Sequence, residues 1–200
     1  VRLGVEDGGN KSGIPTVNGS FVFDKNYLGK PLIYCGTVGV LPKEIQGRET
    51  KDKTICPGDL IVLVGGRTGK DGIHGATFSS EVLHEASPSS AVQIGDPFTQ
   101  KKAHDFLLEA RDRGLYRTLT DNGAGGLSSS VGEMAEWVGG ANLQLADVPL
   151  KYEGLLPWEI FLSESQERMT LAVPPASWGA LEKVAEAHAV EVVTVGAFTD

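Results

Sequence analysis

Apolar residues along the chain fall into short blocks whose spacing separates strands from helices. The longest uninterrupted block is Leu60–Val64. It follows Cys56-Pro57-Gly58-Asp59, a turn signal, and runs into a glycine-rich loop, which predicts a buried strand. Further on, Asp96 and Pro97 supply a cap and a first helical residue. Phe98, Ala103, Phe106, Leu107 and Ala110 form one face behind them, and Gly114 is the stop. Leu127, Val131, Met134, Ala135 and Val138 make a second helical stripe, ended by Gly139-Gly140. Trp178, Leu181, Val184, Ala185 and His188 make a third, opened by Pro174-Pro175, and another helix is expected over 76–85. Strands are expected near 115–120, 141–148, 168–173 and 190–198. Earlier in the chain, Val17–Phe23 and Lys30–Leu41 cluster β-branched and aromatic residues around a turn at 24–29, and both predict strands. Residues 6–10 (E-D-G-G-N) look loop-like.

Strands alternate with helices from about residue 57, so the expected class is a layered α/β (α+β) domain over 57–200. The polar stretch from Pro42 to Pro57 marks the boundary with a β-rich segment, 1–56. No apolar run approaches the ~20 residues needed to span a bilayer, and no signal peptide is visible at the first residues. Cys35 and Cys56 make no disulfide framework, and a reducing, cytoplasmic setting is the simplest expectation. Because the chain opens on Val1 rather than Met, it is expected to be a piece of a longer polypeptide.

Lys and Arg number 18 against 26 Asp and Glu, a net charge of −8. That argues against binding nucleic acid or an anionic membrane, both of which need a basic face. Phosphorylated small molecules remain open, since carboxylates can hold Mg²⁺ and the metal can hold phosphates.

Four stretches carry candidate chemistry. Gly65–Gly75 (G-G-R-T-G-K-D-G-I-H-G) follows a strand, and its glycines could turn backbone N–H groups toward an anion, helped by Arg67 and Lys70. The Walker pattern fails at Asp71, and a tight turn stabilised by its own side chains fits the spacing equally well. Asp121-Asn122-Gly123-Ala124-Gly125-Gly126 places a carboxylate at a strand end beside glycines; Mg²⁺ binding and simple capping are the two readings. Leu162–Arg168 (L-S-E-S-Q-E-R) is a dense polar run before an apolar strand, suited either to reading a polar substrate or to facing water. Gln93, just ahead of a capped helix, has the same two readings. His74, His84, His104 and His188 lack metal-ligand spacing, with His188 expected to be structural.

Taken in order, Gly8–Gly19, Gly65–Phe78, Val92–Phe98, Asp121–Leu127 and Leu162–Met169 closely resemble the phosphoribosylformylglycinamidine synthase family, synthetase subunit (PurL-type). The wider superfamily includes aminoimidazole ribonucleotide synthetase, selenophosphate synthetase, thiamine-phosphate kinase and the hydrogenase maturation factor HypE. The S-E-S-Q-E-R run and the G-I-H-G loop point to the purine synthase among these. The resemblance implies the C-terminal-type domain of the aminoimidazole ribonucleotide synthetase-like fold, preceded by the end of its β-rich, barrel-forming domain. It implies ATP and Mg²⁺, and formylglycinamide ribonucleotide as substrate. A glutaminase subunit and a small bridging subunit would supply ammonia, and the β-rich domain would form a dimer.

Carried over by position, Gln93, Glu164, Ser165 and Gln166 are substrate contacts and Asp121 is a Mg²⁺ ligand. Gly69, Lys70, Asp71, Gly72 and His74 are the phosphate-loop candidates. The family has alanine where Gly125 stands and often Arg where Lys70 stands. Its catalytic His, its ATP lysine and further Mg²⁺ carboxylates lie upstream of the matching region. These 200 residues alone are therefore expected to be inactive. Two alternatives are another ATP-dependent member of the superfamily and a non-catalytic dimerisation half.

Overall fold

The computed structural model describes residues 1–29, 31–73 and 94–200. The expected helix at 76–85, and with it Gln93 and His74, lies outside the described residues. The centre is a five-stranded sheet of β3 (Leu60–Gly65), β4 (Thr118–Asp121), β5 (Gly140–Leu143), β6 (Arg168–Val173) and β7 (Val192–Thr199), in the order β4-β6-β3-β7-β5. Every neighbouring pair in it is antiparallel.

Both faces of this sheet are covered. Ile61 and Leu63 of β3 join Ala172, Val195 and Phe198 against α3 (Gly126–Glu136) and α4 (Pro157–Leu162). Val62 and Val64 point the other way, with Leu171 and Val173, against α2 (Pro97–Asp112) and α5 (Trp178–His188). Two-sided burial explains why β3 reads as a continuous apolar run and not an alternating one. The expected Asp96 cap forms, accepting from the Phe98 N–H at 3.1 Å. At the far end of α2, Gly114 adopts a left-handed φ of +67°. His188 bonds Glu109 at 2.8 Å and meets the edge of Phe106, a structural role.

Before β3 the structure departs from the expectations. Residues 2–12 form α1 (Arg2–Ser12) in place of a loop, held by Arg2–Glu6 and Asp7–Lys11 ion pairs, each 2.7 Å long at i,i+4. Neither 17–23 nor the described residues 31–41 are strands. A strand needs a neighbour for its N–H and C=O groups, and the described residues provide none there. The only ladder before β3, among the described residues, is a hairpin of β1 (Glu44–Ile45) and β2 (Arg48–Glu49). Gln46 and Gly47 both have positive φ, as a type I′ turn requires. Among the described residues no helix is long and apolar enough to cross a membrane.

Candidate functional site

Antiparallel pairing brings the polar motifs to one end of the sheet. β6 lies between β4 and β3, so its first residues sit between the last residues of the other two. Gly65 is opposite Arg168, and Asp121 is opposite Met169. The loops after β3 and β4 therefore flank the S-E-S-Q-E run that precedes β6. Two glycines permit the fit. A Cβ on Gly65 would lie 2.0 Å from the Glu167 carbonyl oxygen, and one on Gly126 would lie 2.0 Å from that of Ser163. Both have φ in the left-handed region, at +101° and +56°. At these positions glycine serves loop-on-loop packing.

The first loop is bonded into the protein along its length. The N–H groups of Gly65, Gly66 and Thr68 donate to the carbonyls of Glu191, Glu167 and Pro149 at 3.0, 3.0 and 2.8 Å. The Gly69 N–H donates to Ser165 Oγ at 2.8 Å, and the Lys70 N–H to the Tyr152 hydroxyl at 2.9 Å. Over 65–70 the loop is thus held by acceptors from other segments of the chain rather than by its own side chains, and these five amides do not form an open anion cradle. The Lys70 ammonium pairs with Glu159 at 2.9 Å. The Asp71 carboxylate receives Lys151 at 2.8 Å and the Ser165 hydroxyl. Burial alone would raise the Asp71 pKa, but hydrogen bonds from Lys151 and Ser165 outweigh it and hold the carboxyl below its ordinary 3.8.

Beneath this layer lies Arg168, only 4% exposed. Its guanidinium donates to the Ser165 carbonyl at 2.8 Å, to Thr68 Oγ1 at 2.8 Å and to the Ser163 carbonyl at 2.5 Å. Desolvation lowers its pKa to about 10, which still leaves it charged at neutral pH. Glu167 beside it has an unusual backbone, with φ at +57°. Its carboxyl is raised above the ordinary value, first by burial and then by the charges of Asp96 and Asp71, against an opposing hydrogen bond from the Asp96 N–H.

The second loop carries the more open chemistry. Asp121 is exposed, and its Oδ1 accepts the Gly123 N–H at 2.8 Å, a local turn and not the cap of α3, whose N-cap is Gly125. Its Oδ2 has no protein partner among the described residues. One outward carboxylate oxygen suits Mg²⁺, which takes one or two carboxylates and completes its shell with water and phosphate. Among the described residues there is no group of three or more His, Cys, Asp or Glu placed to hold a metal by themselves. Glu164 accepts the Gly125 N–H at 3.1 Å, and the Gln166 amide donates to the Glu164 carbonyl at 2.9 Å.

Asp121, Gln166 and Glu167 line a cavity of about 340 Å³, together with Gln100 and His104 of α2 and with Asn122. Asn122 is 2% exposed. Its Oδ1 accepts the hydroxyls of Ser130 at 2.7 Å and Thr170 at 3.0 Å, while Nδ2 lacks a partner among the described residues. A buried donor left without an acceptor costs about 1–3 kcal/mol.

The expected residues Glu164, Ser165, Gln166, Asp121, Gly69, Lys70 and Asp71, with Gly72 next in sequence, thus gather around the start of β6. Sequence reasoning gave no individual role to Arg168, Thr68 and Asn122, which lie inside its candidate stretches, and missed Lys151, Tyr152 and Glu159. Arg168 did carry a signal, as a charged residue opening the otherwise apolar run M-T-L-A-V. Lys151 and Tyr152 carried none, since they reach the site from an irregular segment 80 residues beyond Asp71.

Residues 56–200 match the family model described as "AIR synthase related protein, C-terminal domain". The chain belongs to this family. Curated relatives that extend the match over the whole chain are PurL subunits of phosphoribosylformylglycinamidine synthase. That of Methanopyrus kandleri is 44% identical over 100% of this chain and 28% of its own length. That of Thermoplasma acidophilum is 41% identical over 98% of this chain and 26% of its own length. The chain therefore spans little more than a quarter of these relatives. Among solved structures, Thermotoga maritima PurL complexed with FGAR superposes with a TM-score of 0.77 at 31% identity, covering 98% of this chain and 33% of that one. The same protein complexed with ATP gives 0.75 at 30% identity, over 99% and 31%. Escherichia coli HypE shares the fold at 18% identity, with a TM-score of 0.51 over 72% of this chain and 44% of that one.

Proposed function

We propose that this AIR synthase related chain is part of the synthetase subunit of a phosphoribosylformylglycinamidine synthase, an ATP-dependent amidine-forming ligase of purine biosynthesis acting in the cytoplasm. The observation that carries the reading is the gathering of three motifs around the start of β6, in a chain that matches FGAR-complexed PurL almost end to end. In the proposed reaction the amide oxygen of formylglycinamide ribonucleotide takes the γ-phosphoryl group of ATP, and ADP leaves. Ammonia then attacks the amide carbon, the C–O bond of the iminophosphate breaks, and inorganic phosphate and the amidine are released. The ammonia comes from glutamine through a glutaminase and a small bridging subunit; one solved relative is PurLQS from Thermotoga maritima.

In this reading Glu164 and Gln166 face the substrate, with Gln93 contributing from outside the described residues. Asp121 is the residue that would hold Mg²⁺, and the metal would neutralise phosphate charge that a chain at −8 otherwise repels. Residues 1–56 belong to a β-rich domain whose strands pair with other segments or with a second copy. The general base is proposed to lie upstream of the matched region, and on that reading these 200 residues alone do not turn over ATP.

The test uses the full polypeptide encoded by the gene, with ammonia and Mg²⁺. Phosphate release should depend on formylglycinamide ribonucleotide. Asp121→Asn should raise the Mg²⁺ needed for half-maximal rate while leaving the melting temperature nearly unchanged. Release that ignores this substrate and follows another acceptor would overturn the assignment.

A further inference from the structure

Ser165 lies in the middle of the run proposed to contact substrate and borders the cavity beside Asp121, yet its hydrogen-bonding groups are engaged within the protein. It is 1% exposed. A hydroxyl has one proton to donate and two lone pairs to accept with. The Ser165 proton goes to the Asp71 carboxylate, and one lone pair takes the Gly69 N–H at 2.8 Å. Ser163 Oγ lies 3.1 Å away on the remaining side. The backbone is committed too, with its N–H donating to Ser163 Oγ at 3.2 Å and its carbonyl accepting Arg168 Nε at 2.8 Å.

We propose that Ser165 is a positioning residue: its hydroxyl pins the Gly69–Asp71 loop onto the start of the β6 region, and Glu164 and Gln166 on either side do the contacting. Further links join the same two segments, among them the Gly66 N–H to the Glu167 carbonyl at 3.0 Å. The Glu164 N–H donates to the Asp71 carbonyl at 2.8 Å, and Arg168 bridges Thr68 to the Ser163 and Ser165 carbonyls. The pin is the one link whose two ends, Gly69 N–H and Asp71 carboxylate, both lie on the glycine loop, so it fixes that loop's curvature as well as its distance. Glu164 and Gln166 are thereby held at a set spacing from Lys70. This inference rests on the functional reading above for its kinetic arm only.

The test compares Ser165→Ala, Asp71→Ala and the double variant in the full polypeptide. In ligand-free protein, amide exchange of the peptide spanning 65–72, followed by mass spectrometry, should speed up about tenfold in each single variant, the size of one net hydrogen bond. The double variant should exchange more slowly than the product of the two single effects predicts, because the Ser165–Asp71 bond is removed in both. The Gly69 N–H loses its acceptor in one, and Lys151 its partner in the other. The KM for formylglycinamide ribonucleotide should rise about tenfold, with less change in kcat, and show the same non-additivity. A direct substrate contact predicts otherwise: exchange at 65–72 unchanged in Ser165→Ala, and KM effects of the two substitutions that multiply. Those results would overturn the proposal. If Ser165→Ala does not fold, Asp71→Ala is compared with Lys151→Ala, which removes only the ion pair: faster exchange in Asp71→Ala than in Lys151→Ala supports the pin, and equal exchange refutes it. Failure of the functional reading would show as no response to this substrate, with the exchange result standing independently.

Discussion

Val62 of β3 and Val38 of the stretch at 31–41 are the same side chain in similarly apolar surroundings, and they end in opposite environments. Val62 is wholly buried, bonded through its backbone to β6 on one side and β7 on the other. Val38 is fully exposed, as nearly are Phe23, Tyr34 and Val40. The difference lies in the available partners. Strand propensity describes how well a residue fits a pleated, half-buried surface, and it has no effect until a second strand supplies that surface. β3 finds two neighbours within the described residues, whereas 17–23 and 31–41 find none.

The comparison can be broken from the buried side first. Leu171→Ala, at a wholly buried position of β6, should cost about 2–5 kcal/mol in denaturant unfolding. A loss under about 1 kcal/mol would mean the sheet is not the stable unit described here. A smaller effect should come from pH. The Asp71 carboxyl is held below its ordinary 3.8, so its stabilisation is complete above that value and disappears as pH falls through the lowered native value. Between pH 5 and 3 the melting temperature of the parent chain should therefore fall further than that of Asp71→Asn; parallel curves would remove the ion pair from the account. The smallest effect belongs to the exposed side. Phe23→Ala should change the stability of the 200-residue chain by less than about 0.5 kcal/mol. In the full polypeptide the same substitution should cost about 3–5 kcal/mol, because there residues 17–23 are proposed to be paired and buried.

The packed region was legible because local signals and tertiary structure agree in it. The Asp96–Pro97 start and Gly114 stop of α2, the 3.6-residue stripes of α3 and α5, and the apolar run of β3 each appear where their patterns place them. The short helix α4 was not visible, since six residues are too few to show a period. For the site, the residue types at strand ends marked its place but not its wiring. Ser165 has the composition of a substrate contact and the bonding of a structural pin. Only the arrival of Gly69 and Asp71 from about 95 residues away separates the two roles, and no spacing rule spans that distance. The glycines after β3 were similarly ambiguous, and neither reading named the acceptors that the amides of 65–70 find, which come from distant segments.

The position of β6 between β4 and β3 also sets a length scale. The loops that follow β4 and β3 share no ladder with each other, so their separation is inherited from two successive strand spacings, about 10 Å in all. That gauge is built from backbone hydrogen bonds, which side-chain substitution scarcely alters. The sheet thus works as a caliper for the two loops, setting the distance between their first residues before any side chain does.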